Sequence, residues 1–174
     1  MKKLIAISAL VFMIPMLASA QTEDHPYRGQ GYGFFGLGTG LNDYHPVAEQ
    51  AGFGGEGFLF KGFAFGAEAA YSHYNTSGGF GISAWIGSLD PSYHFGRHAA
   101  RRGVDPFILG GFSLYGPTSK GGGRGQPGGN FGGGVNLWLA EHAALRLEIR
   151  EHVAGFSYLP SGTAIAFRVA VTFR

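Results

Sequence analysis

The last stretch of the chain carries the clearest pattern. Thr163, Ile165, Phe167, Val169, Val171 and Phe173 fall on one parity, and Ala164, Ala166, Arg168, Ala170, Thr172 and Arg174 on the other. A period of two is the signature of a strand. One face is large and apolar, the other small or charged. A soluble sandwich turns such an apolar face inward; a membrane barrel turns it outward to lipid. Phe63 to Ser72, Asn130 to Leu139 and Ala143 to Arg150 repeat the alternation. Weaker runs cover 30–40, 50–60, 79–95 and 106–115. In 79–95 the parity is lost near Asp90-Pro91, and Pro cannot donate to a ladder, so a bulge or strand end is expected there. The facing of 30–40 and 50–60 is left open by their dense Gly.

Eight strands of about ten residues account for about 80 residues of the chain. Short connections are expected at Lys61-Gly62 and Ala140 to His142, with a longer one at Gly96 to Asp105. The other set is 41–49, 75–78, 116–129 and 154–162. Short turns at one end and longer loops at the other are the habit of outer-membrane barrels. Aromatics near strand ends suggest two interfacial belts. Phe60, Phe63, Phe95, Phe107, Trp138 and Phe173 are assigned to the turn end. Tyr71, Tyr74, Phe80, Tyr115, Phe131 and Phe156 are assigned to the loop end.

Composition changes this picture at the start of the chain. Lys2 and Lys3, the apolar run Leu4 to Leu17 and the small Ala18-Ser19-Ala20 form a cleaved secretory signal peptide over 1–20. The barrel domain is then 21–174, a single domain. It contains all 32 Gly, 15 of the 16 Phe, and 11 basic against 11 acidic residues. Near-zero net charge gives no case for a nucleic-acid partner. The aromatic content argues against disorder. The absence of Cys excludes a disulfide scaffold, and no mature segment is apolar for long enough to form a transmembrane helix.

Three stretches carry a resemblance. Asp105-Pro-Phe-Ile-Leu-Gly-Gly-Phe looks like the entry to a fifth strand. Gly132-Gly-Gly-Val-Asn-Leu-Trp-Leu with Ala144-Leu-Arg-Leu-Glu-Ile-Arg looks like a penultimate hairpin. Phe167, Val169, Val171 and Phe173 are similar to the C-terminal signal read by the barrel-assembly machinery, with Arg174 following the usual terminal aromatic. The mature chain thus resembles the small OmpA-like eight-stranded barrels of the bacterial outer membrane. The resemblance implies an all-β, eight-stranded antiparallel up-and-down transmembrane barrel in the outer membrane of a Gram-negative envelope. Its partners would be outer-membrane lipid and, during biogenesis, the assembly machinery. A monomer is expected, with an extracellular ligand left unspecified. No peptidoglycan-binding domain is legible after the barrel, so a tethering role is not expected.

The inward parity collects Glu68, Arg146, Glu148, Arg150 and Arg168, and Glu56 on the Gly-dense second strand is expected to join them. The interior of an eight-stranded barrel is just wide enough for side chains to fill. Buried charges have to be paired. Three Arg and three Glu therefore read as a plug, with Arg168 meeting Glu148 across one ladder and Arg side chains reaching Glu68 across the barrel. The function expected is structural or surface-interacting and non-enzymatic. The alternatives are a narrow pore for ions or small solutes and, third, a lipid A-modifying enzyme.

Catalysis would need a nucleophile beside a base. Ser72 and His73 are adjacent, so alternation sends them to opposite faces. His73 and Ser77 would meet only through a folded-back loop. Of seven His, only His94 and His98 share a short element, and they have no acidic neighbour at ligand spacing, so no metal is expected. Gly31 to Gly36 opens no helix after a strand, so no dinucleotide site follows. Gly121 to Gly129 reads as a low-complexity extracellular loop. Arg97, Arg101 and Arg102 would sit near anionic headgroups at the turn end. No catalytic, cofactor or metal residues are assigned.

Overall fold

A computed structural model describes residues 29–41, 47–75, 81–96, 103–118, 125–154 and 163–174. The eight strands are β1 (Gly29–Gly40), β2 (Val47–Phe60), β3 (Phe63–Asn75), β4 (Gly81–His94), β5 (Gly103–Pro117), β6 (Gln126–Trp138), β7 (Ala143–Ala154) and β8 (Thr163–Phe173). Each pairs antiparallel with its sequence neighbours, and β1 closes onto β8. Closure leaves no unpaired edge, the condition for a sheet to sit in hydrocarbon. The signal-peptide residues 1–20 lie outside the described residues.

The strands extend several residues into the expected connections. The β2–β3 turn is Lys61-Gly62, with φ of 44° and 85°. Two positive φ values make the turn whose twist matches a hairpin, and Gly62 takes its value without steric cost. An irregularity between Phe58 and Phe60 adds one residue to β2 just before the turn.

Asp90-Pro91 is neither a strand end nor a bulge. β4 runs through it with parity intact, pairing Gly66 with Asp90 and Phe65 with Pro91 on β3. Only the β4–β5 ladder skips the two positions, and its register is the same on either side. Pro91 faces outward and Asp90 inward. Asp105, expected in a turn, is an inward residue of β5.

The outer surface of the wall is apolar. Phe35, Phe53, Phe65, Leu89, Ile149 and Phe167 point away from the barrel, Phe53 with 69% of its surface exposed. A continuous apolar exterior of this kind is stable only against lipid. Among the described residues no helix is long and apolar enough to cross a membrane; the crossing elements are strands.

Two belts of aromatics flank this surface, with corrected membership. At the turn end the rings of Phe60, Phe63, Tyr93 and Phe95 follow one another at centroid distances of 5.2, 4.7 and 4.8 Å. At the loop end Tyr71 pairs with Trp85 across β3 and β4, both outward. Phe107, Trp138, Tyr74 and Tyr115 do not belong to the belts; all four are buried on the inward parity. Strand-end position alone predicts a belt residue, but parity decides which side of the wall the ring occupies. Phe80 and Phe156 lie outside the described residues.

Candidate functional site: the charged lumen

The alternation that faces Leu and Val outward on β7 turns Arg146, Glu148 and Arg150 inward, one step apart along the barrel axis. Register then sets Glu148 opposite Arg168 of β8. Glu148 receives all three guanidinium groups. Its Oε2 accepts from Arg146 Nε at 2.9 Å and Nη2 at 2.8 Å. Its Oε1 accepts from Arg150 Nε at 2.7 Å and Arg168 Nη1 at 2.9 Å. These four bonds use the four lone-pair sites of one carboxylate.

Each Arg then reaches a second acid on the far wall. Arg168 Nη2 donates to Glu68 Oε1 at 2.7 Å, and Arg150 Nη1 lies 3.4 Å from the same oxygen. Arg146 Nη1 donates to Glu56 Oε1 at 3.0 Å. Arg150 Nη1 donates to Asp90 Oδ2 at 2.9 Å. The six residues singled out in the sequence therefore form one connected set, with Asp90 added.

Aromatic rings pack between the charges. The Arg146 guanidinium lies 3.9 Å from the Phe107 centroid and 4.5 Å from that of Tyr32, and Arg168 lies 3.4 Å from Phe34. Guanidinium over a ring face is attractive, more so when desolvated. Gly52 and Gly54 make room for these rings: a Cβ on Gly52 would stand 2.7 Å from Phe34, and one on Gly54 2.7 Å from the Tyr32 hydroxyl. The gap bounded by Tyr32, Phe34, Arg146, Glu148, Arg168 and Ala170 leaves no space for a water molecule. Arg150 is fully buried.

The polar lumen extends beyond the six. At the turn end His94 donates or accepts through both ring nitrogens, Nδ1 at 2.8 Å from Asp105 Oδ2 and Nε2 at 3.2 Å from Glu56 Oε2. The reading of His94 as a turn residue without acidic neighbours is thus corrected. Asp105 also accepts from the backbone N–H of Gly96 at 3.1 Å and from Asn136 at 3.3 Å. Gln30 and Ser92 donate to Glu56 at 2.6 and 2.7 Å, and Tyr32 donates to Glu68 at 3.1 Å. Toward the loop end Asn130 donates to Asp90 at 2.8 Å, and Tyr115 meets His152 at 3.1 Å. Parity is the sequence signal for Asn130, Asn136 and His152, while Gln30 lies in a Gly-dense strand whose facing only the ladders set.

Solved structures share this architecture. The N-terminal β-barrel domain of Pseudomonas aeruginosa OprF superposes with a TM-score of 0.61 at 17% identity, covering 87% of this chain and 98% of that one. Neisserial surface protein A gives 0.62 at 12% identity, covering 87% and 98%. The outer membrane enzyme PagL gives 0.53 at 10% identity, covering 83% and 99%. The chain has the fold of an outer-membrane β-barrel. With an exterior that needs lipid, its place is the outer membrane. No family model and no curated protein matches the sequence. At these identities the likeness carries the architecture and not the chemistry. The neighbours include proteins of the surface and one enzyme.

Proposed function

We propose that this barrel is a non-conducting scaffold whose lumen is closed by the charged network and whose loop end meets the surroundings. The observation that carries the reading is Glu148: one carboxylate ties three Arg, and each Arg is tied in turn to an acid on another strand. Opening a path would strand at least one of these charges in a confined space, which is costly. A pore would need the pairs to part, yet no water fits between the central rings and guanidinium groups. Surface interaction would then fall to the connections β1–β2, β3–β4, β5–β6 and β7–β8, which leave the barrel at the end opposite the Lys61-Gly62 turn.

Planar-bilayer recording of the refolded full chain tests the reading. The expected trace is that of the bare bilayer, with the folded state verified by faster migration of the unboiled sample on a gel. Steady single-channel conductance in the wild-type protein would overturn it.

A further inference from the structure

The outer surface of the wall is apolar along its middle and carries polar side chains near the loop end, Glu151 of β7 on one side and a polar row on the other. Glu49 of β2, His73 of β3 and Ser83 of β4 occupy one line of partners across two ladders, all with outward parity. The His73 Nδ1 lies 2.8 Å from the Ser83 hydroxyl oxygen. The imidazole ring rests over Gly81, where a Cβ would stand 2.7 Å from Cε1. One step further toward the loops, Asn75 is outward and exposed, paired with Gly81. One step toward the membrane centre is the row Ala51, Tyr71 and Trp85.

We infer that His73 and Ser83 form a hydrolytic site on the lipid-facing wall, acting on fatty-acyl esters of membrane lipids. A hydroxyl within hydrogen-bond reach of an imidazole is the arrangement that activates Ser as a nucleophile. The Tyr71–Trp85 pair marks the headgroup level. The dyad is one ladder step from that pair, within the interface where lipid esters join acyl chains to polar heads and where water is available. This site is on the opposite face of the wall from the lumen network and does not depend on it.

The steps follow from the geometry. In the tautomer with hydrogen on Nε2, Nδ1 accepts the Ser83 hydroxyl proton as Oγ bonds to the ester carbonyl carbon. The carbonyl π pair moves onto its oxygen, toward which the Asn75 amide can donate. When that pair returns, the C–O bond to the lipid alcohol breaks and the alcohol takes the proton from His73. Water then attacks the acyl-Ser83, giving its proton to His73. Release of the fatty acid returns that proton to Ser83. The net reaction is ester plus water to carboxylic acid plus alcohol.

Sequence spacing concealed the pair. His73 and Ser83 are ten residues apart, on different strands, and only the β3–β4 register sets them opposite.

The test uses the full chain refolded in detergent, its folding verified by heat-modifiable mobility. Two probes are offered separately in mixed micelles: purified lipopolysaccharide and dioleoyl phosphatidylglycerol. Free fatty acid is measured, and a fluorophosphonate is used to label the nucleophile. The wild type is expected to release fatty acid from at least one probe and to carry the label on Ser83. Release from lipopolysaccharide alone assigns the esters of that lipid, and release from the phospholipid alone assigns glycerol esters. Ser83→Ala and His73→Gln should each lower the rate about 100-fold or more, the scale of a lost general base, at unchanged mobility. Folded wild type that releases nothing from either probe, or Ser83→Ala with undiminished release, overturns the inference.

Discussion

The guanidinium of Arg168 bridges the barrel, holding Glu68 of β3 through Nη2 at 2.7 Å and Glu148 of the adjacent β7 through Nη1 at 2.9 Å. One side chain thus ties two walls that no backbone ladder joins. All three groups are nearly inaccessible to solvent, so the energetics are those of a buried network. Removing one partner leaves a charge uncompensated, while removing a pair together does not.

Glu68→Ala should therefore destabilise the barrel by about 3–5 kcal/mol. The double variant Glu68→Met, Arg168→Met should cost much less than the sum of its single changes, because Glu148 keeps Arg146 and Arg150, and Arg150 keeps Asp90. Urea titration of the refolded barrel in micelles measures Glu68→Ala, the two single Met variants and the double. Additive losses would show that the cross-barrel tie contributes little. Currents recorded on the same variants separate a plug from a gate: a large rise in conductance at unchanged urea midpoint is the signature of a gate.

Gly54→Val should destabilise by about 1–3 kcal/mol through overpacking. Its Cβ would stand 2.7 Å from the Tyr32 hydroxyl oxygen and 2.8 Å from Cζ. The ring would have to leave both Arg146 and Glu68. Gly31→Val is the control, since its Cβ faces outward, 3.7 Å from the nearest atom. Urea midpoints should separate the two substitutions clearly.

Phe53→Arg places a charge midway along β2 on the lipid face and should cost about 2–4 kcal/mol, the midplane value for a basic residue. Phe60→Arg, at the turn end of the same strand, should cost about 0–1 kcal/mol by the same depth dependence. Equal costs, measured by denaturant titration in lipid vesicles, would show that the exterior is not a bilayer-spanning band.

Phe173→Ala should slow barrel assembly more than Arg174→Ala. Phe173 continues the outward row of Phe167, Val169 and Val171. Arg174 turns aside: its guanidinium lies 4.0 Å from the Trp138 centroid, and its Nε donates to the Glu141 carbonyl at 2.7 Å. Its loss should remove the cation–π contact with Trp138, about 0.5–1 kcal/mol at an exposed site, and the side-chain hydrogen bond to Glu141, about 0.5–1.5 kcal/mol, neither of which belongs to the outward row. Pulse-chase measurement of the folded, heat-modifiable form compares the two rates directly.

The alternation of apolar and polar positions by itself marked the strands and the inward charges of β3, β7 and β8, while the closed antiparallel order was implied by the family resemblance and is borne out by the ladders. In a barrel every residue is either against lipid or inside, so a period of two is nearly a complete description of facing. Where Gly leaves no side chain to read, as in β1 and β2, the parity came only from the ladders that fix Tyr32, Phe34 and Glu56 inward. The parity already paired Arg168 with Glu148 and carried Arg side chains to Glu68; tertiary structure alone brought Glu56 to Arg146 from 90 residues away. It alone decided that Asp90, His94 and Asp105 belong to the same lumen. It also decided that Ser83 and not Ser72 stands beside His73, because the hydrogen-bond register between two strands is set by the whole ladder and not by any local spacing.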